Sequence, residues 1–192
     1  MKLLITAAAL ALLATGCATN NSPRYASSAD TVHALRGMKI GEVATVGNFT
    51  MTSTADLQCR AVGPIMLPDN HNLPSYIKKA LEDELKMAGM YNPTNPAVNL
   101  TGLVNKAAFT SAKGFFQGHW ELDVTIQSSN GKSVSAQEQY EFDSAYLADK
   151  GCQKTADALV PAVQNVLQKI VTSPSFKDLF ITDQQVPTKK KK

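Results

Sequence analysis

The 192-residue chain holds only 3 cysteines, 3 histidines and 1 tryptophan, and 18% of its residues are charged. No Cys-x-x-Cys or His-x-x-x-His spacing accompanies the few sulfur and imidazole groups, so a metal centre is not expected and no cofactor is implied. A basic excess is missing from the middle of the chain. Of the 19 Lys and Arg residues, Lys2 and Lys189 to Lys192 lie at the two ends, which leaves 14 against 16 acidic residues, a central balance near −2. The pI of 8.7 therefore belongs to the termini. Nucleic-acid-binding domains gather basic charge on the folded surface, so no nucleic-acid partner is expected. With 44% hydrophobic residues, the length suits one domain with its own core.

The longest apolar run is at the start. Met1-Lys2 precedes 11 apolar or small residues, Leu3 to Leu13, ending before Thr15-Gly16. This is the pattern of a signal-peptide core and falls short of the roughly 20 residues a helix needs to cross the hydrocarbon core. Leu13-Ala14-Thr15-Gly16-Cys17 resembles the bacterial lipobox. By that resemblance residues 1–16 are a lipoprotein signal peptide, and Cys17 becomes the diacylglyceryl-bearing first residue, with palmitate-class chains, of a 176-residue mature chain. The alternative is an ordinary secretory signal cut at an Ala-x-Ala-like site. Ala18, rather than aspartate, follows the cysteine, which resembles the outer-membrane sorting class and implies a periplasm-facing location. Two or three acyl chains on one residue make attachment effectively stable, so the membrane is an expected partner through lipid.

Cys59 and Cys152 remain as an even pair in an exported chain, and a disulfide is the leading expectation. Two reduced, buried thiols are the alternative. Residues 17–37 are polar, small and without period, as expected of a flexible tether. From Met38 to Phe49, Ile40, Val43, Val46 and Phe49 mixed with Gly41 and Gly47 predict a strand with an irregularity. A long connection with Pro64, Pro68 and Pro74 follows.

Ser75 then reads as an N-cap, and Ile77, Leu81, Leu85 and Ala88 recur at helical spacing up to Gly89. Val98, Leu100, Gly102 and Val104 alternate with Asn99, Thr101, Leu103 and Asn105. Trp120, Leu122, Val124 and Ile126 alternate with Glu121, Asp123, Thr125 and Gln127. Ser129-Asn130-Gly131 predicts a tight hairpin turn, and Val134, Ala136, Tyr140, Phe142 and Tyr146 a fourth strand. Residues 148–171 carry a second helical stripe, with a kink or break expected at Pro161. The order β-α-β-β-β-α over residues 38–181 predicts an α+β domain. Its four-stranded, mainly antiparallel sheet would carry two helices on one face. Residues 182–192 form a Lys-rich tail expected to be disordered.

The helix Ala80 to Tyr91, the following Val98-Asn99-Leu100, the Ser128 to Lys132 turn and the last helix leading into Pro174-Ser175-Phe176 resemble the YajG-type bacterial lipoproteins. The architecture is also similar to lipopolysaccharide-assembly lipoproteins of the LptE type and to auxiliary lipoproteins of ABC transport systems. The resemblance implies place and fold; YajG-type proteins have no settled activity.

An enzyme is not expected. His33 falls in the tether, His71 in a Pro-rich loop and His119 at a strand start, with no nucleophile elbow beside any of them. Glu121 and Asp123 share one solvated strand face, where two carboxylates acquire no distinct acid and base roles. Two features point instead to contact. Phe115, Phe116 and His119 in Lys113-Gly114-Phe115-Phe116-Gln117-Gly118-His119 form a candidate partner contact at a strand junction, the alternative being that one Phe caps the core. Lys189, Lys190, Lys191 and Lys192 are a candidate contact to an anionic surface, solvated disorder being the alternative. The expected function is a non-enzymatic binding or assembly module in the cell envelope, with an envelope protein or lipid as partner. A lipid- or lipopolysaccharide-handling accessory is the alternative, and a periplasmic hydrolase a more distant one.

Overall fold

The computed structural model describes residues 20–114 and 116–181. Its main sheet has the order β2-β5-β6-β7, from β2 (Ala44–Met51), β5 (Val98–Lys113), β6 (Gln117–Ser128) and β7 (Ser133–Asp143). β2 lies parallel to β5, and the two other pairings are antiparallel. Alternation decides which side chains face inward. Leu100, Val104, Trp120, Leu122, Val124 and Ile126 are buried against the helices, and their alternate neighbours Thr101, Glu121, Asp123 and Thr125 line the opposite face. The irregularity expected in the first strand is a register shift between Val46 and Phe49.

The helical layer is larger than the two helices predicted. Helix α2 (Leu73–Ala88) packs Ile77, Leu81 and Leu85 into the core and ends at Gly89 as expected. Its start differs: Asn72 is the N-cap and Ser75 is the third helical residue, each side chain bonding the other's backbone in a capping box. The last stripe divides into α3 (Ala148–Asp157) and α4 (Leu159–Thr172), meeting at Ala158. Pro161 stands in the first turn of α4, where its missing N–H would have had no intrahelical acceptor. A 3-10 segment, Pro174–Phe180, then closes the core with Phe176, Leu179 and Phe180.

The stretch expected to be a flexible tether is, from Asn20 onward, part of the fold. Asn20–Asn21 (β1) pairs in parallel with β4 (Gly63–Met66), which pairs with β3 (Gln58–Cys59) to make a second, three-stranded sheet. Ala29–Gly37 forms helix α1, capped by Ser28 and packed on α2 and α4 through Val32 and Leu35. Polar contacts explain why a sequence without period is held. The Tyr76 hydroxyl donates to Pro23 O at 3.0 Å, Gln164 Nε2 donates to Ala26 O at 2.8 Å, and the Tyr25 hydroxyl and Ser28 N–H both donate to Glu84 Oε1, at 2.5 and 2.7 Å. Burial raises the Glu84 carboxyl above the usual range in spite of these donors, and its Oε2 has no hydrogen-bond partner among the described residues.

Two further differences concern β7. The inward position between Ala136 and Tyr140 holds Glu138, which is buried and bonded by Lys169 Nζ at 2.6 Å and Asn165 Nδ2 at 3.1 Å from α4. An inward charge on an edge strand discourages pairing with another chain. Tyr146 lies beyond the strand and is exposed. The hairpin turn falls on Ser129-Asn130-Gly131 as expected, closed between Ser128 and Lys132 with Gly131 at φ +83°.

Candidate functional site

Cys59 and Cys152 form a disulfide, both wholly buried, in a small second core with Ile65 and Ala156. It joins β3 to α3 across 93 positions of sequence. The adjacent residue, Arg60, has φ of +51° and directs its guanidinium between two segments, β5 and the β7–α3 connection. Nε donates to Ser111 Oγ at 3.0 Å, Nη2 to Ser111 O and to Ala145 O at 3.1 Å, and Nη1 to Tyr146 O at 3.0 Å. Gly151 makes room for this arrangement, since a Cβ there would lie 2.7 Å from Nη2 and 2.9 Å from Ala145 O. Ser144 adds two bonds, its N–H donating to Phe116 O at 2.7 Å and its hydroxyl to Ser111 O at 2.5 Å.

These bonds tie the β5–β6 tip and the β7–α3 connection into one platform. It presents Phe116, Tyr146 and Leu147, which are 64%, 67% and 62% exposed. Exposed large apolar side chains scattered singly need no explanation, but three at one end of the sheet are candidates for a contact surface. Phe116 is thus a tip residue that does not cap the core; Phe115 lies outside the described residues. The sequence points to the Phe pair. It gives no sign of Tyr146 and Leu147, because only the antiparallel return of β7 brings them to the same end.

His119 is not on this platform. It sits on the open face of the sheet, where Nε2 lies 3.2 Å from Glu121 Oε1 and Nδ1 is buried without a hydrogen-bond partner among the described residues. Lys106 also bonds Glu121 and is the main reason its carboxyl falls below the usual range. Along the same face Asn105 Nδ2 donates to Asp123 Oδ1 at 2.8 Å and Thr125 Oγ1 at 2.9 Å, and Gln137 Nε2 to Asp123 Oδ2 at 2.8 Å. Glu121 and Asp123 do share this face, each in its own hydrogen-bond set.

The other histidines stand apart. His33 is exposed on α1. His71 Nδ1 is 3.0 Å from Ser75 Oγ, but that hydroxyl is occupied in the α2 capping box, and the Asp69 carboxylate is engaged by Arg24 at 2.6 and 3.0 Å. A nucleophilic serine needs a hydroxyl free to lose its proton to an oriented imidazole, and these contacts fix the groups for capping instead. Among the described residues no three His, Cys, Asp or Glu side chains gather as a metal site, and no helix is long and apolar enough to cross a membrane. Cys17 and Lys189 to Lys192 lie outside the described residues.

A cavity of about 450 Å³ opens between the end of β2, the following loop and the start of α2. Phe49, Met51, Ala55, Leu57 and Leu73 line it, with Thr50, Thr54 and Asn72 at its polar side. Between sheet and helices proper the space is filled: Trp120, Ile77, Leu81, Leu167 and Ile170 are essentially inaccessible.

No family model and no curated protein matches the chain. Similar solved structures include a Xanthomonas campestris protein of the DUF330 family (8% identity, TM-score 0.40, 79% of this chain and 91% of that one). A Caulobacter crescentus protein described as a candidate lipoprotein gives 14% identity, TM-score 0.40, and 79% and 93% coverage. The PelC dodecamer from Paraburkholderia phytofirmans gives 15% identity, TM-score 0.32, and 78% and 92% coverage. At TM-scores below 0.5 these likenesses carry no argument about partner or activity.

Proposed function

We propose that the chain is a lipid-anchored, non-catalytic binding module of the bacterial envelope, held through Cys17 at the periplasmic side of the outer membrane. It would take an envelope protein on the open face of its sheet. The observation that carries this reading is the contrast between the two faces. One is packed solid by helices, and the other displays Lys106, Glu121, Asp123, Gln137 and Gln139 around a shallow depression. Such a face suits a polar protein surface, whose charged groups give register and specificity more than raw affinity. Anchoring confines the module near its partner and raises the effective concentration. The lipobox-like Leu13 to Cys17 supports the anchor, and the YajG-type resemblance supports the setting. Crosslinking in cells from photoreactive residues at Thr125 and Gln137, with mass spectrometry of the adducts, tests the reading. One recurrent envelope protein is the expected result, and adducts no different from those at exposed α1 residues would refute it.

A second reading, an accessory that handles lipid, is favoured by the apolar cavity beside Phe49 and Leu73, whose volume suits a small apolar ligand. Co-purification of a stoichiometric lipid, lost in Leu73→Gln but retained in Gln137→Ala, would favour it.

A further inference from the structure

Three large apolar side chains stand exposed on a platform that hydrogen bonds from Arg60 and Ser144 tie together. What covers the platform follows from where the chain enters. The described chain begins at Asn20, which pairs with Ile65 in a parallel arrangement, so β1 runs in the same direction as β4. β4 starts at Gly63, opposite Cys59, and Arg60 is the next residue. The entering end of β1 is therefore the end of the small sheet that carries Arg60 and the disulfide. Helix α3, which follows Leu147 directly, packs on the same strand and donates from Gln153 Nε2 to Asn21 O. Cys17 is three residues before Asn20, and three residues span at most about 11 Å even when extended.

We propose that Phe116, Tyr146 and Leu147 rest in the interfacial region of the bilayer that holds the Cys17 lipid, so that anchor and platform form one two-part attachment. This rests on the lipid-anchored reading above and adds an orientation to it. Aromatic rings are suited to the boundary between headgroups and acyl chains. β6 runs 12 residues from the tip to Ser128, and at about 3.4 Å per residue its far end stands roughly 37 Å above the platform. At that far end Asn130 Nδ2 donates to Asp178 O at 2.8 Å and Ile181 O at 2.9 Å. Ile181, the last described residue, thus stands at the end remote from the bilayer. The sheet stands upright, with its open face turned sideways to the periplasm, accessible to a protein partner.

The test uses the full-length processed protein, purified from membranes and reconstituted into phosphatidylethanolamine–phosphatidylglycerol vesicles containing a phospholipid with a photoreactive acyl chain. After irradiation, adducts are mapped by mass spectrometry, and the mass of the Cys17 peptide and flotation with the vesicles are read in the same sample. The expected result is adducts on the segments bearing Phe116 and Tyr146-Leu147 and none around Asn130 or Ile181. In Phe116→Ser/Leu147→Ser, adducts at these segments fall about fivefold or more while flotation and the urea midpoint are unchanged, since the acyl chains alone retain the protein. A protein that floats with an acylated Cys17 but shows no tip adducts, or equal adducts at Ile181, overturns the platform proposal and leaves the anchored reading standing. An unacylated Cys17 with no flotation overturns both.

Discussion

Replacing Arg60 by alanine removes four hydrogen bonds to Ser111, Ala145 and Tyr146 in a single step. A hydrogen bond to a charged group contributes about 1.5–3 kcal/mol in favourable cases. The carbonyl of Tyr146 lies where water replaces the lost donor, and bonds from one guanidinium are not additive, so the expected net loss is about 3 kcal/mol. The backbone supplies an internal control. Arg60 has φ of +51°, a conformation that costs an L-residue roughly 1–2 kcal/mol and glycine almost nothing. Arg60→Gly should therefore be more stable than Arg60→Ala by about 1 kcal/mol, the reverse of their order at an ordinary exposed position. Arg60→Lys keeps the charge, but an ammonium lacks the planar fork that reaches both segments, and it should fall near alanine. Urea unfolding of the oxidised protein measures each variant. At a slope of about 2 kcal/mol/M, the alanine variant should lose roughly 1.5 M in midpoint. Hydrogen exchange at residues 144–147 should accelerate in the same variant. A midpoint within about 0.3 M of wild type, or alanine above glycine, would show that the guanidinium does not hold the platform.

Three other perturbations probe the same frame. Reduction, or Cys59→Ala/Cys152→Ala, releases a loop of 93 positions and should lower stability by roughly 4–5 kcal/mol on the chain-entropy model, read as a loss of melting temperature on adding reductant. Gly151→Ala should destabilise although alanine is the better helix former by about 1 kcal/mol, because its Cβ would meet the Arg60 guanidinium; in an Arg60→Ala background the same change should cost less, which a double-mutant cycle measures. Burial raises the Glu84 carboxyl in the folded state, so its contribution is fully present below the unfolded pKa and is lost as pH rises through the folded one. Relative to Glu84→Gln, wild type should therefore be favoured near pH 4 and lose that advantage toward pH 7. A difference that stays constant across that interval contradicts the burial account.

Much of the fold is legible from period alone. The inward series Val98 to Val104 and Trp120 to Ile126 and the stripe Ile77, Leu81 and Leu85 are strong because each series is uninterrupted and, the buried Glu84 on α2 apart, its inward positions are apolar or glycine. Readings fail where polar groups substitute for apolar ones. Glu138 occupies an inward position because Lys169 and Asn165 reach it from α4, so the β7 alternation shows a gap. Residues 20–37 look like linker because residues 20–28 are held by a two-residue strand and side-chain bonds to Pro23 O, Ala26 O and the buried Glu84, none of which leaves a period, and α1 is a short helix packed chiefly through Val32 and Leu35.

The amino-acid sequence by itself determined the α+β class, the helical and strand faces and the Cys59–Cys152 candidates, since these depend on spacing along the chain and on cysteine count. Only the tertiary structure decided that Phe116, Tyr146 and Leu147 share one end, that Arg60 and Ser144 tie the segments there together, and that Asn20 enters at the Arg60 end of the small sheet. Those juxtapositions arise from long-range pairings: β7 returning antiparallel to β6, β1 laid parallel on β4, and a guanidinium bridging segments 51 and 86 residues away. No local pattern encodes such contacts, because each residue's own neighbours are indifferent to which distant segment it will meet.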